Sequence, residues 1–190
     1  MTYQFQNAKI LVVEDTQPMV TLVKSILNIF GFKDIYIAHN GEEGVEMFKR
    51  HDPDLVLADW LMDPMDGVEM AWHLRNDTDS HNPYVPVILM TGFSHQMRIV
   101  QARDTGINDV LVKPFNAHQL YNRIKQVIEN PRQFVDAGTF FGPDRRRKRG
   151  RDYNGPERRK TRNAQGDAVA REPHSKQILN ELRERVEQRQ

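Results

Sequence analysis

Apolar residues in this chain fall into short runs, and between the runs they recur at helical spacing. Residues 8–13 (AKILVV) form a run that stops at Glu14–Asp15, as a strand buried on both faces does. Pro18 suits the first turn of a helix; Val20, Val23, Ile26, Leu27 and Phe30 follow on one face, and Gly31 stops it. The pairing then repeats. Residues 34–38 predict a second strand, and 41–50 a short helix with Val45 and Phe48 on one side. Residues 54–59 predict a third strand, and 67–76 a helix presenting Val68, Ala71, Trp72 and Arg75. Residues 86–91 predict a fourth strand, followed by a weakly apolar helix over 95–105 that Gly106 ends. Residues 108–112 predict a fifth strand, and Leu120, Ile124, Val127 and Ile128 mark a last helix. Five strand–helix units predict an α/β fold: a doubly wound, five-stranded parallel sheet covered on both faces, with right-handed crossovers.

Beyond residue 130 this pattern fails. Phe134, Phe140, Phe141 and Tyr153 stand apart among Arg, Gly, Pro and Asp. Such a segment buries too little apolar area to offset a backbone entropy cost of roughly 1–2 kcal/mol per residue. The expected organisation is a folded domain over 1–130 and a basic, largely disordered extension over 131–174. A short amphipathic helix over 175–190 follows, with Ser175 as its cap and Ile178, Leu179, Leu182 and Val186 on one face.

Charge sharpens this division. The 190 residues carry a formal charge of only +1. Residues 1–130, however, hold 11 Lys and Arg against 17 Asp and Glu, and residues 131–190 hold 16 against 9. Near neutrality is a cancellation between a front of −6 and a back of +7, the asymmetry of a folded domain with an interaction tail. Cysteine is absent, which excludes disulfides, thiolate metal sites and a cysteine nucleophile. No apolar run approaches the ~18–20 residues that span a bilayer, and the N-terminus lacks a signal-peptide core. These features predict a cytoplasmic protein without membrane insertion.

Ligands of open α/β sheets sit beyond the carboxyl ends of the strands. Here those ends carry Glu14–Asp15 on the first strand, Asp59 on the third, Thr91–Gly92 on the fourth and Lys113–Pro114 on the fifth. Each alone is ordinary: an acidic residue at a strand end is usually solvated, and Thr–Gly is a common turn. Together they bring three carboxylates, a hydroxyl and an ammonium to one edge. Clustered carboxylates repel one another unless a cation joins them, and an all-oxygen set favours Mg²⁺. With a lysine and a hydroxyl alongside, the set suits phosphoryl transfer, and a carboxylate can itself be the acceptor.

This constellation resembles the receiver domain of two-component response regulators of the chemotaxis type, over about residues 8–129. The matching residues are Glu14–Asp15 after ILVV, Asp59 in DLVLADW, Met65–Asp66–Gly67, Thr91–Gly92 after VILM, and Lys113–Pro114–Phe115. The resemblance implies a flavodoxin-like receiver fold with Asp59 as phosphoacceptor. It implies that Glu14, Asp15 and Asp59 hold Mg²⁺ together with the backbone carbonyl of Leu61. The backbone amides of Trp60 and Gly92 would meet phosphate oxygens, Lys113 would contact the phosphoryl group, and Thr91 would move toward it. It also implies a cis Lys113–Pro114 bond. The implied donor is a sensor histidine kinase or a histidine phosphotransfer protein, and the implied output is contact with a downstream protein. That contact would use the tail, or the face formed by the helix at 95–105, the fifth strand and the last helix. A phosphorylation-dependent dimer is one assembly this allows.

The chain departs from the family pattern twice. The loop after Asp59 reads Met62–Asp63–Pro64–Met65–Asp66–Gly67, with its proline displaced by one and Asp63 added; Asp63 can reach a metal through water or face solvent, and solvent is the expectation. The switch position three before the lysine, usually aromatic, is Val110.

The tail contains an echo. Gly142–Pro143–Asp144–Arg145–Arg146–Arg147–Lys148–Arg149 returns 13 residues later as Gly155–Pro156–Glu157–Arg158–Arg159–Lys160–Thr161–Arg162. Residues 144–162 hold ten Lys and Arg against three Asp and Glu. A solvated linker, an acidic partner (including the chain's own front) and nucleic acid phosphates all fit such a segment. The histidines (His39, His51, His73, His81, His95, His118, His174) form no metal-binding pair and read as surface residues.

Four functions are compatible with these residues to different degrees. One is a phosphorylation-dependent switch, and another a phosphate sink with no output of its own. A third is a nucleic-acid-binding regulator acting through the tail. The fourth, an aspartyl-phosphate enzyme such as a phosphatase, fits worst: such an enzyme needs a general acid two residues after its nucleophile, where this chain has Leu61, and has no room for a substrate cap. No substrate turnover is expected.

Overall fold

In the computed structural model, residue 3, residues 5–92, 105–136 and 141–144, and Glu184 are described. Five strands form one parallel sheet: β1 (Lys9–Val13), β2 (Asp34–Ala38), β3 (Leu55–Asp59), β4 (Val87–Thr91) and β5 (Asp109–Val112), in the order β2-β1-β3-β4-β5. Among the described residues four helices accompany them: α1 (Gln17–Phe30), α2 (Gly41–His51), α3 (Gly67–Asn76) and α4 (Ala117–Glu129). The doubly wound sheet is the one the sequence predicts, with element ends within a residue or so of expectation. Parallel register is continuous across it, from Ile10 opposite Ile35 and Leu55 to Leu89 opposite Val110.

Period-two alternation divides the core into two layers. Ile10, Val12, Leu55, Leu57, Ile88 and Met90 face one way, onto Val23 and Leu27 of α1 and Leu120 and Ile124 of α4. Leu11, Val13, Val56, Ala58, Val87 and Leu89 face the other, onto Phe48 of α2 and Met70 and Leu74 of α3. Helix ends are built from local sequence. Gly31 takes φ 95°, and its N–H donates to Asn28 O. Asn40 caps α2, Asp66 with Glu69 forms a capping box on α3, and Asn116 with Gln119 does so on α4.

On α3, Met70, Ala71, Leu74 and Arg75 are buried, while Trp72 is 51 % exposed. Arg75 is tolerated inside because its Nε donates to Gly106 O (3.1 Å), NH1 to Pro83 O (2.9 Å) and NH2 to Asn108 Oδ1 (3.1 Å). Burial pushes its guanidinium down to about 9, so it stays protonated at neutral pH.

Beyond the boundary expected at Asn130–Pro131, structure continues into β6 (Phe134–Asp136) and β7 (Phe141–Pro143), an antiparallel pair. Phe134 is 1 % exposed; its ring centroid lies 5.1 Å from that of Tyr84, 5.6 Å from that of Phe141, and 5.2 Å from Arg75 Cζ. Phenylalanines isolated in sequence find apolar partners some fifty residues upstream. The helix expected over 95–105, apart from Thr105, lies outside the described residues. So do Phe140, the Arg-rich repeat from Arg145 onward and, apart from Glu184, the C-terminal helix expected over 175–190. Among the described residues, no helix is long and apolar enough to cross a membrane.

Candidate functional site

The chain runs outward one way from β1 to β2, then the other way from β3 through β4 to β5. The direction changes between β1 and β3, and this leaves a crevice beyond their carboxyl ends. Glu14 follows β1 with its backbone N–H donated to Ala38 O (3.0 Å), and its side chain is fully buried. Asp15 is exposed, and its Oδ1 accepts from Thr16 Oγ1 (3.0 Å). Asp59, the last residue of β3, is 9 % exposed. One carboxylate oxygen from each of the three lies within 4.8 Å of the others.

Lys113 ties the cluster together. Its Nζ donates to Glu14 Oε2 (2.8 Å) and pairs with Asp59 Oδ1 (2.9 Å). Its backbone N–H donates to Thr91 O (2.7 Å), which holds the end of β5 against the end of β4. The Lys113–Pro114 bond is cis, as is Asp63–Pro64. Asp59 Oδ1 also accepts from Trp60 N (2.8 Å), an N–H it shares with Met90 O (2.9 Å). Thr91 is fully buried at the floor, and Gly92 after it is exposed.

The electrostatics follow from this packing. Burial pushes the Asp59 carboxyl above the ordinary carboxylate range and Glu14 adds to that, against the opposing pull of Lys113 and the Trp60 amide. For Lys113, burial works to lower the ammonium, but the hydrogen bonds and charges of Glu14 and Asp59 outweigh it and hold the group above its usual value. Among the described residues, three carboxylates stand against one ammonium, which leaves the crevice short of positive charge.

The loop after Asp59 is held by backbone contacts. Gly67 N donates to Trp60 O (3.0 Å), and Gly41 N donates to Met65 O (3.0 Å). A Cβ on Gly67 would fall 2.0 Å from Asp59 O. Asp66, which looks like a further acid of the site, is spent on capping: its Oδ1 accepts from Val68 N (2.8 Å) and Glu69 N (2.7 Å). Asp63 is exposed and lies outside the three-carboxylate cluster. Val110 is 8 % exposed and packs in the core layer with Leu89, so its aliphatic side chain serves that layer. Sequence reasoning missed Thr16, whose N–H donates to Glu14 Oε1 (3.3 Å) and whose hydroxyl donates to Asp15. Its one available signal was its place directly after the acidic pair.

The family model for the response regulator receiver domain matches residues 10–125. The chain belongs to the response regulator receiver family. Chemotaxis protein CheY-3 of Vibrio cholerae is 32 % identical over 124 residues, 65 % of this chain and 94 % of that protein. The probable transcriptional regulator ycf27 of Porphyridium aerugineum is 34 % identical over 123 residues, 65 % of this chain but only 49 % of that protein. Among solved structures, the signal receiver domain of a signal transduction histidine kinase from Syntrophus aciditrophicus superposes with a TM-score of 0.58 at 30 % identity. It covers 65 % of this chain and 92 % of that one. All three matches leave about a third of this chain uncovered, and the family match stops at residue 125, before the basic tail.

Proposed function

We propose that this receiver domain is a phosphorylation-dependent response regulator whose phosphoacceptor is Asp59. The observation that carries the reading is the placement of Lys113, whose one ammonium contacts both Asp59 and the buried Glu14. With Oδ1 of Asp59 held by Lys113 and Trp60 N, Oδ2 is the oxygen left to attack. In transfer from a phosphohistidine on a sensor kinase or phosphotransfer protein, this oxygen forms the new P–O bond while the P–N bond breaks, and the imidazole leaves with the electron pair. Lys113 faces the negative charge gathered on the phosphoryl oxygens. The resemblance implies that the amides of Trp60 and Gly92, and the Thr91 hydroxyl on moving toward the site, would donate to those oxygens once the phosphoryl group is in place.

The donor set fits a hard divalent cation. Glu14, Asp15 and Asp59 offer only oxygen, their ligand atoms lie within 4.8 Å of one another, and Asp15 is open to solvent. Mg²⁺ would be held by these carboxylates and the backbone carbonyl of Leu61, and when bound it supplies charge that offsets the phosphoryl oxygens. The apolar Leu61 stands where a phosphatase would place its general acid, so the domain is a switch without turnover and its output is protein contact.

Labelling from acetyl phosphate tests the assignment. Asp59→Asn is expected to abolish incorporation, and labelling at the wild-type level in that variant would overturn it.

A further inference from the structure

Away from the carboxylate crevice, an open groove of about 460 Å³ runs from the start of α2 along α3. Among the described residues it is lined by Glu42, Met65, Val68, Glu69, Trp72 and Thr105, with others beside them. Its floor is apolar, its charged rim is acidic, and the indole of Trp72 stands half exposed beside it. Glu42 is exposed, and Glu69 gives one carboxylate oxygen to Asp66 N (3.2 Å). His73, paired with Asp77, also lines the groove and sets its ring edge-to-face with Trp72 at 5.1 Å. Carboxylates near a half-exposed indole are what a guanidinium needs: a fork to pair with and a ring to stack on.

We propose that this groove is the docking site of the chain's own Arg-rich segment, residues 145–162. Three observations favour that occupant. The first is charge: residues 144–162 hold ten Lys and Arg against three Asp and Glu, while residues 1–130 carry −6. The second is where the chain leaves the fold. Strand β7 contains Gly142–Pro143, the opening of the first copy of the repeated motif, and Asp144 N donates to Gln133 O (2.6 Å). In the same strand, Phe141 O lies 3.2 Å from where a Cβ on Gly106 would sit, and Thr105, the residue before Gly106, lines the groove. The Arg-rich segment therefore starts from a strand packed beside the groove's edge. The third is reach: the second copy, with Arg158, Arg159 and Lys160, begins 13 residues after the first. At roughly 3.3 Å per residue that is about 40 Å of chain, against about 15 Å for the whole of α3. The segment can lie along the groove with its arginines over Trp72. Docking does not depend on whether Asp59 accepts a phosphoryl group, so it stands or falls separately from that reading.

The test uses the full chain. Trp72 is read by the NMR signal of its indole N–H, identified by its loss in Trp72→Phe, and by acrylamide quenching. Trp60, 5 % exposed, reports that the fold is intact in each variant. In wild type the Trp72 indole should be protected. Quenching should rise about twofold when the cover is removed by Arg158→Glu with Arg159→Glu, by Glu42→Lys, or by ~1 M salt, where the screening length shrinks to about 3 Å. Combining Glu42→Lys with the two arginine reversals should restore protection, because the signs are exchanged on both sides. The proposal is overturned if Trp72 is equally quenched in wild type and the arginine variant. It is also overturned if protection grows with protein concentration, which marks a second copy as the occupant, or appears only when duplex or RNA is added.

Discussion

Asp59 is built against its own charge. Burial is the largest influence on its carboxyl and raises it, while Lys113 and the Trp60 amide only partly compensate. An acid whose folded value lies above its unfolded one penalises the fold once it is ionised. The penalty is absent below the unfolded value of about 3.9, grows as pH rises through the folded value, and is complete above it. Asp59→Asn should therefore melt higher than wild type at pH 7 in metal-free buffer. The difference should shrink as pH falls toward the ordinary carboxylate range. Thermal melts across pH 3–8 check this, and an Asn variant that melts lower at pH 7 would contradict it. Gly67 makes a complementary case, in which space decides and charge plays no part. A Cβ there meets Asp59 O at 2.0 Å and Leu89 Cδ1 at 3.0 Å, and a backbone oxygen cannot step aside without moving Asp59 itself. Gly67→Ala should cost about 1–3 kcal/mol in urea unfolding, the usual range for overpacking, and should lower acetyl phosphate labelling as well. Gly92→Ala is the control: its Cβ would meet nothing within 4 Å, and it keeps the amide, so stability should hold.

Elements differ in how much of themselves they write into local sequence. Strands β1, β3 and β4 are buried on both faces and so appear as unbroken apolar runs; α1 and α4 have a buried stripe with caps or stops beside it. The paired carboxylates at the end of β1, Asp59 at the end of β3 and Lys113 after β5 follow as soon as the strand order is known, because a parallel sheet brings all its carboxyl ends to one side. By contrast, β6 and β7 are three residues each and show no periodicity; Phe134 is secured by Tyr84, Phe141 and Arg75, none of them a sequence neighbour. Spacing on α3 is silent in the same way about which residues go inside: Trp72 is half exposed, while Arg75 is drawn inward by carbonyls from other loops. If the strand pair belongs to the domain, Phe134→Ala should remove a fully packed ring and destabilise the whole fold by about 3 kcal/mol. A single urea transition shifted to a lower midpoint in the full chain would show this. An unshifted midpoint would return the boundary to Asn130.

At the scale of the whole molecule, the crevice draws on nearly every central element. β1 supplies Glu14 and Asp15, β3 supplies Asp59, β4 supplies Thr91, and Lys113 directly follows β5. A cation bound there is therefore linked to the sheet as a unit, since the oxygens that hold it come together only when β1 and β3 are paired. Without it, the folded chain keeps three carboxylates within 4.8 Å of one another against, among the described residues, one ammonium, and the unfolded chain disperses them. A ligand that binds only the folded state stabilises it by mass action, about 2.7 kcal/mol at a hundredfold excess over its dissociation constant. For a domain of this size that corresponds to a rise in Tm of roughly 5–10 °C. Mg²⁺ should thus raise the Tm of the wild-type chain, and EDTA should reverse the shift. Asp15→Asn separates this from a general salt effect. Asp15 is exposed and its hydrogen bond to Thr16 is a surface one, so the variant should melt close to wild type in EDTA. It removes one of the three carboxylates proposed to hold the ion, so most of the Mg²⁺-dependent gain should vanish. Equal shifts in both proteins would mean that the ion acts elsewhere, and no shift in wild type would mean that the carboxylates are neutralised by Lys113 and protons alone.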